Sequence, residues 1–231
     1  AQKDTVIEQK IAPKPVLDTA LFHSLNLKLA NGDTTGRWPA KMPVPLPGAI
    51  LPFNRIIAFY GNLYSTKMGI LGELPKNEML KKLKGEVAYW QKADTTLKVI
   101  PALHYIAVTA QGSPGKDNKY RLRMPFSQID TILKWSKEID ALTFLDIQVG
   151  HSTPESEVPT LDPYLKLPTV HLGIDPEFSM KGGHAPGKKI GTFDASDINW
   201  VIDHLAQIVR ANNLPPKILI LHRFTQGMLT N

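Results

Sequence analysis

The stretch Thr169-Val170-His171-Leu172-Gly173-Ile174-Asp175-Pro176-Glu177-Phe178 limits the fold more than any other part of the chain. Read as a strand, it puts Val170, Leu172 and Ile174 on one face and His171, Gly173, Asp175 and Glu177 on the other. Helical patterns flank it, so the strand is expected to be covered on both faces. Two carboxylates aimed inward at the end of such a strand are costly unless something pairs or uses them. Parallel α/β folds place their chemistry at that end.

The rest of the chain repeats the unit. Strand patterns are expected over 55–61, 97–108, 142–150, 169–177 and 217–224, with helical patterns over 77–92, 127–139 and 194–212. A short helix is expected to end at Leu167, and 225–231 reads as the start of another. Leu80, Leu83, Val87 and Trp90 mark the apolar stripe of the first helix, and Val201, Ile202, Leu205, Ile208 and Val209 that of the last. Asp194 or Ser196 is the expected cap of that last helix. Strand–helix repetition at this spacing predicts parallel β/α units. The expected fold is α/β, a parallel (β/α) TIM-barrel-like domain that is partial or truncated. The alternative is a five-stranded doubly wound sheet.

Residues 1–54 read as an N-terminal extended lead-in, and 55–231 as the barrel-like domain. Within the lead-in, Ala12-Pro13-Lys14-Pro15 reads as a stiff turn, and 16–29 mixes helix and strand signals. The proline-rich run from Trp38 to Gly48 cannot be an interior strand or helix, because each proline removes a donor. It is expected to lie extended over the main body, with Trp38 and Leu46 as anchors.

Composition narrows the partners. The net charge is +6, but the lysines are scattered, and Lys81, Lys82 and Lys84 fall on what reads as a solvated helix face. No nucleic-acid motif accompanies them, so no nucleic-acid partner is expected. No apolar run is long enough to span a bilayer. There is no cysteine, which excludes disulfides, thiolate metal sites and a cysteine nucleophile. The sequence opens on Ala1-Gln2-Lys3-Asp4 without an initiator Met, as removal of an export signal or trimming would leave it.

If the aliphatic register of each strand faces the helices, the other faces inward. That register offers Ala58 and Tyr60, then His104 and Ile106, then Phe144, Asp146 and Gln148, then Asp175 and Glu177, and finally His222. The polar members gather at C-terminal strand ends, which favours a barrel mouth. Each has a structural alternative: His104 and His222 as hydrogen-bonded core histidines, Asp146 as a turn cap, and Asp175 with Glu177 as a turn motif binding backbone amides. Gln148-Val149-Gly150-His151-Ser152-Thr153 is only a weak match to the metal motif of carbohydrate deacetylases, since no second histidine follows. A phosphate loop and a Gly-x-Ser-x-Gly elbow are both missing. No cofactor and no tightly bound metal are expected.

Several strings resemble a family of uncharacterised exported bacterial proteins, many labelled only as lipoproteins. They are Phe59-Tyr60-Gly61, Met68-Gly69-Ile70-Leu71-Gly72-Glu73, Pro101-Ala102-Leu103, Leu145-Asp146-Ile147-Gln148, Leu172-Gly173-Ile174-Asp175-Pro176-Glu177 and His222-Arg223-Phe224-Thr225. The resemblance covers roughly residue 54 onward. It implies a glycosidase-like TIM barrel and an exported protein (periplasmic, cell-surface or secreted), with a lipid anchor in the precursor. Members tend to carry a carboxylate where this chain has His104, and to continue past the equivalent of Asn231.

The expected function is that of a carbohydrate-active hydrolase, which needs a protonated acid and an ionised carboxylate across the scissile bond. Glu177 is the candidate acid, and Asp175 or Asp146 the nucleophile or base. Tyr60, His104, Gln148 and His222 are candidates to bind the substrate, a carbohydrate or other polar small molecule. One alternative is a non-catalytic exported binding or envelope protein. Another is metal-assisted hydrolysis using Asp146, Asp175, Glu177 and the histidines.

Overall fold

The computed structural model describes residues 16–39, 41 and 43–231. The expected turn at residues 12–15 lies outside them. In chain order the elements are α1 (Thr19–Leu29), β1 (Asn54–Gly61), α2 (Ile70–Glu73), α3 (Lys76–Ala93), β2 (Lys98–Ala110), β3 (Arg121–Arg123) and α4 (Phe126–Glu138). There follow β4 (Leu142–Ile147), α5 (Pro154–Glu157), a 3-10 turn (Val158–Leu161), α6 (Asp162–Leu165), β5 (Val170–Ile174) and a second 3-10 turn (Pro176–Phe178). The chain closes with β6 (Phe193–Asp194), α7 (Ala195–Ala211), β7 (Leu219–Leu221), a third 3-10 turn (Gln226–Met228) and β8 (Leu229–Thr230).

Five parallel strands pair in the sequential order β1-β2-β4-β5-β7, and β3 adds antiparallel to β2. The sheet is a curled half-barrel. It does not close into a full TIM barrel. The five expected strands are all present, but the fifth keeps only three ladder residues, and the fourth stops at Ile174, before its carboxylates. Residues 225–231 do not begin a helix: after one 3-10 turn, β8 pairs in parallel with β6.

The two registers of the sheet separate as the alternation predicts. Phe59, Leu103, Tyr105, Leu145, Ile147, Leu172 and Ile174 share one core with Met79, Leu80 and Leu83 of α3, Ile129 and Ile132 of α4, and Val201, Leu205 and Ile208 of α7. The opposite face is concave. Its apolar part is Ile56, Ile100, Ala102, Leu142, Phe144, Ile218 and Ile220, at the strands' N-terminal halves. A β-bulge shifts the β2–β4 register between Ile106 and Val108. It turns both Ala107 and Val108 toward the helix-side core and is fastened by Asn62, whose Nδ2 donates to the Ile106 carbonyl at 3.0 Å.

The lead-in is not only extended chain. Asp18 caps α1, accepting the Leu21 N–H at 2.9 Å, and the helix resolves the mixed signals of 16–29. Phe22, Leu29 and the exposed Trp38 line a cleft of about 700 Å³ against Ile56, Ala58 and Phe144 of the concave face. Trp38 lines that cleft although it is 62% exposed, whereas Leu46, 55% exposed, is not among the residues lining it. The helix expected near 158–167 is instead three consecutive single turns, in which Glu157 is fully buried. Its carboxylate accepts from Arg121 Nε at 2.8 Å, Arg123 Nε at 2.7 Å and Ser152 Oγ at 2.5 Å, tying β3 to α5. Burial opposes that charge, but the Arg123, Ser152 and Arg121 bonds outweigh it and hold the carboxyl below its usual range.

Glu157→Gln should therefore destabilise the fold by about 2–3 kcal/mol at pH 7, less than the ~3–5 kcal/mol of a fully buried broken pair because Arg123 reaches water. A depressed carboxyl stabilises above its unfolded value and loses that contribution as pH falls through the folded one. The gap between the variant and the unmodified protein in urea melts should accordingly shrink below pH ~4. A gap that stays constant down to pH 2 would contradict this account.

Candidate functional site

Where the apolar half of the concave face ends, a polar cluster begins, contributed by all five parallel strands. Tyr60 stands near the end of β1, His104 in β2 and Asp146 in β4, while Gln148, Asp175 and His222 follow the last residues of β4, β5 and β7. The register sets Tyr60 beside His104 and Ile106 beside Asp146. Asp146 has no exposed surface. Its Oδ2 accepts from the Tyr60 hydroxyl at 2.9 Å, and its Oδ1 lies 3.3 Å from His104 Nε2 and 3.1 Å from His222 Nε2. The alternative of a turn cap does not describe Asp146, whose partners come from β1, β2 and the end of β7.

Gln148 links this centre to the second carboxyl group. Its Oε1 accepts the Ala110 N–H at 3.0 Å, which fixes the amide orientation, and its Nε2 lies 3.5 Å from both the Tyr60 hydroxyl and Asp175 Oδ2. Asp175 caps the turn that follows, accepting the Glu177 N–H on Oδ1 at 3.1 Å. The turn motif read as an alternative is therefore real, and it leaves Oδ2 on the pocket side. Glu177 contributes that amide from the turn itself. Its side chain is partly exposed, and its carboxylate is held by no hydrogen bond among the described residues.

The charges follow from this packing. Burial opposes the charge of Asp146, but the hydrogen bonds and charges of His104 and His222 outweigh it and hold the carboxyl well below its ordinary range. Burial, then the Asp146 charge, push Tyr60 far above an ordinary phenol. Burial and the Asp146 charge also push Asp175 up to about 6. Burial pulls His222 down, but its bond to Asp146 and that carboxylate's charge raise it overall. His171, the other inward histidine, belongs elsewhere. Burial and the Lys217 charge push it down to about 3, and its Nδ1 accepts the Ile218 N–H at 3.1 Å.

Comparison with protein-family models, curated proteins and solved structures gave no match. The strand-end residues are the ground for a functional reading.

Two features of the site escape a reading by pattern alone. Gly173 faces the cluster from β5, and a Cβ there would meet Asp146 Oδ1 and lie 2.6 Å from His104 Nε2. Only glycine lets those two side chains close over the strand, and a glycine inside a strand pattern is the available signal. The second feature is the donor set itself. His104, Asp146 and His222 present three ligand-type atoms within 4.8 Å of one another, although they are far apart in sequence. No local ligand motif announces them. Among the described residues, no helix is long and apolar enough to cross a membrane.

Gly173→Ala should cost about 2 kcal/mol or more, in the range of overpacked sites. The His222 resonance should titrate closer to an unperturbed imidazole, since the Asp146 bond is displaced. Unchanged stability together with an unchanged His222 titration would refute the close-approach role. Asp175 gives a second outcome. A carboxyl raised in the fold favours folding below its unfolded value, and that contribution is lost as pH rises through the folded value. In chelator-containing buffer, the unmodified protein should thus lose stability relative to Asp175→Asn between pH ~4 and ~6. Parallel melting curves across that window would show that Asp175 is not perturbed.

Proposed function

We propose that the chain is a hydrolase of a hydroxyl-rich, glycoside-type substrate, working at the C-terminal mouth of its half-barrel. The observation that carries the reading is a pair of neighbouring carboxyl groups driven in opposite directions: Asp146 toward the ionised form, Asp175 toward the protonated one. Glycoside hydrolysis calls for one carboxyl of each kind beside the scissile bond. Asp175 then takes the general-acid role that the sequence suggested for Glu177. It is the buried member of the two and the one beside Asp146's charge, whereas Glu177 stands on the rim, where it contacts substrate.

In this scheme Asp175 gives its proton to the leaving oxygen as the bond to the sugar carbon breaks. Asp146 is sealed behind Tyr60, His104 and His222, so it acts through its charge, favouring the cationic transition state, and not by direct attack. The water that completes hydrolysis adds from the side of the histidines and gives up its proton to the Asp175 carboxylate, which restores the acid. Gln148 holds the acid in register with Tyr60. The resemblance to exported proteins supports a setting outside the cytoplasm and a (β/α) barrel ancestry for the half-barrel. The complete burial of Asp146 favours a second reading, a non-catalytic pocket for a polar ligand.

A panel of nitrophenyl glycosides separates the two. Hydrolysis of at least one member is expected, with kcat reduced ~10²-fold or more in Asp175→Asn and by less than tenfold in Glu177→Gln. Binding of sugars without turnover by any preparation would favour the second reading. A larger loss in Glu177→Gln than in Asp175→Asn would return the acid role to Glu177.

A further inference from the structure

The two histidines beside Asp146 converge in a way that hydrogen bonding alone does not require. Both aim Nε2 at the same carboxylate oxygen, Oδ1, at 3.1 and 3.3 Å, and the other oxygen is already taken by Tyr60. Two imidazole nitrogens and one carboxylate oxygen form a typical donor set for a divalent transition metal, with the remaining positions open. For bonds of about 2.0–2.1 Å in a tetrahedron, ligand atoms stand about 3.3 Å apart. The two nitrogen–oxygen distances, 3.1 and 3.3 Å, already match that spacing, and the two nitrogens lie within 4.8 Å of each other.

The surroundings fit as well. The Tyr60 hydroxyl orients the carboxylate from outside the donor set, the kind of support that fixes a metal ligand. Gly173 lets Asp146 Oδ1 and His104 Nε2 settle together against β5, where any Cβ would collide with both donor atoms. His104 is almost fully buried and Asp146 entirely so, while the His222 side chain is 30% exposed, which gives the cluster one open side. His104 and Asp146 lie on the paired strands β2 and β4, and His222 follows β7, where its N–H donates to the Ile174 carbonyl at 3.1 Å, so backbone bonds place all three donors.

We infer that His104, Asp146 and His222 bind one divalent transition-metal ion, of the Zn²⁺ class, through Nε2, Oδ1 and Nε2. The inference rests on the hydrolase reading only for the use made of the ion. The ion would lie where that reading puts the water, and a water bound to it would lose its proton more readily than a free one. The site itself stands on the geometry.

The test uses the 231-residue chain, stripped with chelator, dialysed and titrated with Co²⁺ and Zn²⁺. One Co²⁺ per chain is expected, with visible d–d bands of a low-coordinate nitrogen–oxygen site that Zn²⁺ bleaches by displacement. His222→Ala should weaken Co²⁺ binding at least ~10²-fold, and Tyr60→Phe ~10-fold, since it removes only a supporting bond. Circular dichroism checks that each variant folds. If either fails to fold, the nitrogen-decoupled spectrum of the unmodified protein decides: loss of the His104 and His222 Nε2 protons on Zn²⁺ addition supports the site. Absence of stoichiometric binding, or equal affinity in folded His222→Ala, overturns it. Co²⁺ bound at these histidines without hydrolysis of any glycoside leaves the metal site standing and removes the hydrolase reading. Full hydrolysis in chelator with no Co²⁺ spectrum does the reverse.

Discussion

A carboxylate with no contact with water is the constraint on which the rest of the site depends. Moving such a charge out of solvent costs several kcal/mol, and it survives only where strong donors replace the water. Asp146 obtains them from three directions: the Tyr60 hydroxyl on one oxygen, His104 and His222 on the other. Each donor occupies a different strand region, so the parallel pairing of the sheet is the scaffold that makes the charge tolerable. Gly173 is the steric condition for the same arrangement, because the donors close over its missing side chain. The fixed charge in turn acts on its neighbours, raising Asp175 and Tyr60 and holding His222 toward its protonated form.

The period-two alternation made the inward face legible. It placed Tyr60, His104, Asp146, Gln148, Asp175 and His222 on one side of the sheet, and they do converge. That prediction needs only the pleat and the fact that helices cover the aliphatic register. The roles within the cluster were not legible. Asp175 and Glu177 look equivalent in sequence, yet one is the buried cap that follows the strand and the other a partly exposed residue within the 3-10 turn, a difference set by Pro176 and the cap Asp175 itself provides. The three-donor set around Asp146 was equally hidden, because its members come from segments that only the sheet brings together. Sheet closure also escaped the pattern, since local periodicity counts units but does not fix how far a sheet curls. The tail missed for a plainer reason: Leu229 and Thr230 find a strand partner in Phe193 and Asp194, a long-range pairing that overrides local preference.

The concave face has two chemistries along its length. Toward the N-terminal strand ends it is aliphatic, and α1 with part of the lead-in stands over it, leaving the cleft beside Phe22, Trp38 and Phe144. Toward the C-terminal ends it becomes polar at Tyr60, His104 and Asp146. Phe144 stands at the boundary, its ring near both His104 and His171. The apolar half gives the polar half a floor of aliphatic and aromatic side chains. The low-dielectric floor strengthens each hydrogen bond that the polar half makes.

β7 gives this architecture its softest point. It is an edge strand with three ladder pairs to β5, extended by the His222 N–H donating to the Ile174 carbonyl at 3.1 Å. Short edge strands open by local fluctuation far more often than central ones, at a small fraction of the global unfolding free energy. When this strand frays, His222 leaves Asp146, and the one sealed charge of the sheet meets solvent without disturbance of β1, β2 or β4. Amide exchange at Leu221 and His222 therefore reports how often the centre is briefly open. How often Asp146 itself touches water is set by the lifetime of a three-residue strand.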